Sequence, residues 1–157
     1  MTMNYLNIYN NLVHFSRNKK IYTFFTKNDI FSDRLLILLF HLAFFLKIYK
    51  NKDNKFELQN FYDYFFRQLE LSIREMGYGD ATINKKMKNY INTFHFILTE
   101  IEHWDNLIIT KKNILIKKFI DYEVDFSNLS NYFDKYLDFL RKNSFNLFLK
   151  SVINPDI

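Results

Sequence analysis

Few side chains in this sequence are spaced for chemistry. There is no cysteine, so thiolate catalysis, disulfides and Cys-ligated zinc or iron–sulfur centres are excluded. Glu100-Ile101-Glu102-His103 carries a Glu-x-x-His spacing, which on a helix puts a carboxylate and an imidazole on one face, as in di-iron bundles. A di-iron site needs a second such motif and further carboxylates. This chain offers one motif, near the end of a helical pattern, and a solvated helix end is the competing reading. His14, His41 and His95 form no cluster. His41 lies seven residues after Arg34 and so on the same helical face. It reads either as a buried histidine satisfied by a neighbour or as the wall of a polar pocket. No Ser/His/Asp set, phosphate loop or carboxylate pair stands out. The expectation is a chain with no catalytic residue, no metal ligand and no cofactor.

The sharpest local signal is a corner. The only two glycines, Gly77 and Gly79, sit in Arg74-Glu75-Met76-Gly77-Tyr78-Gly79-Asp80, and the chain has one proline. The Gly-x-Gly follows a helical pattern rather than a strand, with no third glycine, so it is not a dinucleotide-binding loop. Gly77 stands where a left-handed residue ends a helix, which predicts a positive φ. Tyr78 is expected to fold back over the last turn, Asp80 or Thr82 to cap the next helix, and Arg74 to pair with Glu70. Arg74, Glu75 and Asp80 are expected to cluster with Gly77. Lys85, Lys86 and Lys88 then open the next helix, where positive charge opposes the macrodipole, so helix stability does not explain them. With Arg74 they form either a patch for an anionic surface or ordinary surface lysines. Lys111, Lys112, Lys117 and Lys118 carry the same two readings.

The elements that must position these residues are helical. Apolar residues recur at helical spacing over 4–17, and a shorter aromatic segment spans 19–26. Residues 35–46 are apolar except for His41. They are about a dozen in number where a spanning helix needs roughly 20, which predicts a buried core helix, capped by Ser32 or Asp33 and running to residue 50. A polar turn covers 51–54. The next helix is expected over 57–76, with Leu58, Phe61, Tyr62, Phe65, Leu69, Ile73 and Met76 inward. A further helix over 82–104 has its stripe at Ile83, Met87, Ile91, Phe94, Leu98 and Ile101. Residues 105–124 are rich in β-branched side chains, yet the surrounding pattern favours helix. Helices from Asp125 or Ser127 to 140 and over 145–152 complete the chain. The expected fold is all-α: one compact domain over 1–157, of six to eight helices, with a central antiparallel helical hairpin.

Net charge is +5 over 157 residues, a mild excess that favours anionic partners such as RNA, ribosomes or anionic lipid. Aromatics make up 20% of the chain, and 19 of them are Phe, which with heavy Asn, Lys and Ile usage reflects in part an AT-rich coding bias. The first nine residues are polar and Asn-rich, which predicts no signal peptide.

Residues 69–88, LELSIREMGYGDATINKKMK, resemble the hallmark segment of the ubiquinol–cytochrome c chaperone family. Arg74, Glu75, Met76, Gly77, Gly79, Asp80, Lys86, Met87 and Lys88 fall on its Arg-Glu-Met-Gly-x-Gly-Asp and Lys-x-Met-Lys pattern. Upstream, Tyr9, Arg17 and Tyr22 resemble the family's opening helix, and Asp29, Arg34 and His41 its Pro-Asp-Thr, Gly-Arg-Phe and Leu-His segment. Asn113 falls on an Asn after a leucine-rich helix. The similarity is clearest over 9–113; beyond it only Pro155 matches. Asp33 replaces a family Gly, and Phe94-His95-Phe96 replaces a usual Phe-Tyr-Gly-Arg.

The resemblance implies a non-enzymatic, all-helical assembly factor for the cytochrome bc1 complex. It implies a client, newly made cytochrome b, held at the membrane until haem insertion and subunit joining, with a small partner protein and the ribosome as further contacts. Specific DNA binding is not expected. The location implied is the cytoplasm, peripheral at the inner membrane, or the matrix side in a mitochondrion. Partner-binding candidates are Arg74, Glu75, Gly77, Gly79, Asp80, Lys85, Lys86, Lys88, Arg34 and His41. Two rivals stand: a basic helical RNA- or ribosome-binding module, and a metal-dependent helical-bundle enzyme. An apolar groove beside the glycine corner favours the chaperone, a continuous Lys/Arg face the RNA binder, and a second inward Glu-x-x-His set the enzyme.

Overall fold

A computed structural model describes residues 4–25, 31–155 and 157. Asp29 lies outside the described residues. Among them the chain forms eight α-helices: α1 Tyr5–Ser16, α2 Lys19–Tyr22, α3 Phe31–Tyr49, α4 Lys55–Arg74, α5 Asp80–Glu100, α6 Ile109–Lys117, α7 Phe126–Lys142 and α8 Phe145–Lys150, with a 3-10 helix at Ile101–Asn106 between α5 and α6. This is the all-α architecture expected. Among the described residues no helix is long and apolar enough to cross a membrane.

The apolar run 35–46 fills the centre, because a helix hydrophobic all round must be covered on most sides. α1, α5 and α7 pack around α3. Its Phe40 and Phe44 rings lie 5.4 and 5.2 Å from Phe133 of α7, and Phe44 lies 5.1 Å from Trp104 of the 3-10 helix. Each such ring, buried, contributes on the order of 2–3 kcal/mol. Ser32 and Asp33 do not cap α3 but lie within its first turn. Asp33 is buried and accepts a 2.5 Å hydrogen bond from the Tyr122 hydroxyl.

α4 and α5 form the expected antiparallel hairpin. Contacts pair rising with falling numbers: Arg74 with Asp80, Phe66 with Phe94, Tyr62 with His95. The helix expected to reach residue 104 stops at Glu100, and His103 leaves helical geometry at φ −106°, ψ 23°. The stretch 105–124 is helical over the last two residues of the 3-10 helix and over α6. Before it Leu107 and Ile108 are extended, and after it the β-branched signal survives as one bridge, Phe25 to Val124.

One feature was not visible as apolar periodicity. Asn7, Asn11, His14 and Asn18 follow a four-, three-, four-residue spacing that puts them on one face of α1 and its exit. They hold the chain's last segment. Asn7 donates to the Leu149 carbonyl at 2.7 Å, and Asn11 donates to Phe148 and Ser151 carbonyls at 3.1 and 2.8 Å while accepting from the Ile153 N–H at 2.7 Å. His14 Nε2 lies 3.0 Å from the Asn154 Oδ1, and Asn18 donates to the Ile157 carbonyl at 3.3 Å.

Candidate functional site

The corner is built as a helix stop followed at once by a helix start. Gly77 has φ +92°, the positive value its position required. Its N–H donates to the Arg74 carbonyl at 3.0 Å, and that of Met76 to Ile73 at 3.1 Å, closing the last turn of α4. Gly79, at φ −76° and ψ 163°, is the N-cap of α5, and its carbonyl accepts from the Ile83 N–H at 3.0 Å.

Arg74 and Asp80 latch the two helices, Nη1 to Oδ1 at 2.5 Å, and Arg74 also reaches Glu70 at 4.0 Å. The hydrogen bond to Asp80, with the nearby carboxylate charges, raises the Arg74 guanidinium further above its ordinary range. Asp80 therefore does not cap α5: its carboxylate faces across the corner, and no side chain caps that end. Met76, expected inward, is 50% exposed, because α4 has already ended at Arg74. Tyr78 does not fold back onto α4; its ring lies forward, 4.8 Å beneath Lys86 Nζ. Glu75 is exposed at the C-cap of α4, and Lys85 and Lys88 are exposed on the first turns of α5. The corner thus presents Arg74, Lys85, Lys86 and Lys88 beside exposed Leu71, Met76 and Tyr78.

Arg34 and His41 sit at different depths. Arg34 is exposed at the start of α3, whereas His41 is fully buried. Its Nδ1 faces the Ile37 carbonyl at 2.7 Å and must carry the proton, so Nε2 accepts from the Tyr132 hydroxyl at 2.6 Å. The Tyr136 hydroxyl donates to the His41 carbonyl at 2.9 Å. Burial pushes the imidazole down to about 4, so it is neutral at pH 7. Of the two readings for His41, the satisfied core histidine is the one realised.

The groove beside the glycine corner that would favour the chaperone is not where the main cleft lies. A cleft of about 750 Å³ opens between the end of α3, the start of α4 and the end of α5. It is at the opposite end of the hairpin from the glycines: the twelve residues from Tyr62 to Arg74 span about 18 Å of helix. In its wall the Tyr62 hydroxyl and His95 Nε2 are 2.8 Å apart, and burial raises the Tyr62 hydroxyl above its ordinary range.

The Glu-x-x-His spacing falls across the kink at the end of α5. Glu100 pairs with Lys118 at 2.8 Å, and among the described residues no group of three or more His, Asp or Glu is placed to hold a metal. Lys112 is also engaged, 3.0 Å from Asp134, which accepts from the Trp104 indole at 2.8 Å. Lys112 and Lys118 thus serve internal ion pairs.

Residues 25–102 match the family model described as ubiquinol-cytochrome C chaperone. That span covers α3, α4, the corner, α5 and the start of the 3-10 helix. Nothing among the curated proteins matches the chain. Among solved structures it is similar to the crystal structure of the Cbp3 homolog from Brucella abortus, with a TM-score of 0.69 and 23% identity over 96% of this chain and 88% of that one.

Proposed function

This chain belongs to the ubiquinol–cytochrome c chaperone family, and from that premise we propose that it is a non-enzymatic assembly chaperone of the respiratory cytochrome bc1 complex whose client is newly made cytochrome b. The observation that carries the reading is that the family match coincides with the hairpin and its corner, where the chain concentrates its backbone specialisation. The corner sets Leu71, Met76 and Tyr78 in the open beside four cations. Such a mixture suits an apolar client emerging next to an anionic membrane or ribosome surface, since apolar contact drives capture while charge orients approach. We assign the partner contact to Arg74, Glu75, Gly77, Gly79, Asp80, Lys85, Lys86 and Lys88, with a small partner protein and the ribosome as further contacts. The place of work is the cytoplasmic face of the inner membrane, or the matrix side in a mitochondrion. Exposed Arg34 stays in the proposed contact set, and His41 drops out of it because it is buried in the core.

Deleting the gene tests the reading. Assembled bc1 complex and cytochrome b should fall together while other membrane proteins keep their levels, and plasmid-borne wild type should restore both. Normal ubiquinol–cytochrome c reductase in a clean deletion would remove the proposal.

A further inference from the structure

The cleft at the open end of the hairpin joins two chemistries. Its floor is hydrocarbon, from Leu46, Leu58, Phe94 and Leu98. Its mouth carries Lys47 and Lys50 from the end of α3 and Lys55 from the start of α4. The negative groups facing the mouth are Glu102, in the wall, and Asp105, 4.0 Å from Lys47 Nζ. Lys47 is further tied to the Glu102 carbonyl at 3.0 Å. Lys50 and Lys55 are exposed and make no ion pair among the described residues. Lys55 also opens a twenty-residue helix, at the positive end of its dipole, with Glu57 in the same turn, and the turn before it holds Lys52 and Asp53. The cleft therefore combines three lysines with an apolar lining, and about 750 Å³ falls within the range of small-molecule sites, about 300–1,000 Å³.

We propose that this cleft binds one acidic lipid monomer, a phosphate headgroup on a single acyl chain. The headgroup lies between Lys50 and Lys55, and the chain lies on Leu46, Leu58, Phe94 and Leu98. An extended run of nucleic acid has no use for an apolar floor, and a neutral apolar ligand has no use for paired cations at its mouth. The site goes beyond the chaperone reading and does not depend on it, since lipid binding is measured on the purified chain without any client.

The test is calorimetric titration of the full chain with monomeric lauroyl lysophosphatidic acid. The comparators are lauroyl lysophosphatidylcholine, glycerol phosphate, and vesicles of phosphatidylcholine containing phosphatidylglycerol. Binding of one lysophosphatidic acid per chain is expected, with each methylene removed weakening it about fourfold. Lys50→Glu with Lys55→Glu should weaken it about tenfold or more at low salt, and the gap should narrow as salt screens the charges. Gln59→Trp, at an exposed position of the wall, should block the chain and abolish binding. Lys85→Glu with Lys86→Glu, at the far corner, should leave it unchanged. Equal affinity for the neutral lipid, equal affinity for glycerol phosphate, binding to vesicles without monomer binding, or indifference to both cleft variants would each overturn the proposal.

Discussion

Replacing Gly77 by alanine separates backbone conformation from packing. At Gly77 φ is +92°, and a Cβ built there meets no atom within 4 Å. Steric collision with neighbours therefore contributes nothing, and the whole effect must be conformational. Holding an L-residue in the left-handed region costs about 1–2 kcal/mol, and alanine recovers about 0.4–1 kcal/mol by restricting the unfolded chain. The expected net loss is about 1 kcal/mol. Gly79 is the internal control. A Cβ there also meets no atom within 4 Å, but its φ of −76° is open to any residue. Gly79→Ala keeps the unfolded-state gain and gives up a few tenths as a poorer N-cap, so it should fall within about 0.5 kcal/mol of wild type. In urea melts the two variants should differ by about 1 kcal/mol, with Gly77→Ala the weaker and its Tm lower by about 2–4 °C. Gly77→Asn should recover part of the loss, because Asn tolerates the left-handed region. Equal destabilisation by both alanines, or a neutral Gly77→Ala, would refute the reasoning.

Acid should weaken the fold through His41. Its folded value near 4 lies below the unfolded 6.5, so the unfolded chain binds more protons between these values and stability falls as pH drops through that window, by about 3 kcal/mol in full. Urea melts from pH 7 to pH 4 should show this slope, and His41→Gln should flatten it. Asp134→Ala should strip the Trp104 indole and Lys112 of their acceptor, costing about 1–3 kcal/mol, and the emission of this single tryptophan should shift as its surroundings open. Asn11→Ala leaves two carbonyls and one N–H of residues 148–153 without their partner, so amide exchange and proteolysis there should rise well before global unfolding.

The helices were legible because their apolar periodicity is strong and a chain with so little Gly and Pro has few places to break. The corner was legible at the backbone level for the same reason: a glycine placed just past the last apolar turn, as Gly77 is, has one economical use. What escaped were side-chain choices between near-equal partners. Asp80 had both a helix N-terminus and Arg74 within reach, and the cation took it. Tyr78 had two helices to lie against, and Lys86 drew it forward. The early end of α4 turned Met76 outward, and a two-residue difference of that kind is invisible to a stripe that still scans. Arg34 and His41 share a helical face by spacing. In the first turns of α3 Asp33 and Leu35 are buried while Arg34 between them is exposed, whereas by His41 the helix is covered on every side. The cleft escaped because it forms where α3, α4 and α5 meet, and the asparagine face of α1 because polar residues at helical spacing read as solvent-facing until a partner segment covers them.

The central claim is met most directly by isolating the tagged chain from cells in which membrane-protein synthesis is pulse-labelled. Newly made cytochrome b should co-purify, and the charge-swapped corner Arg74→Glu with Lys85→Glu and Lys86→Glu should lose it while melting like a folded helical protein. Recovery of the intact chain without labelled cytochrome b, or equal recovery of unrelated labelled membrane proteins, would contradict the account.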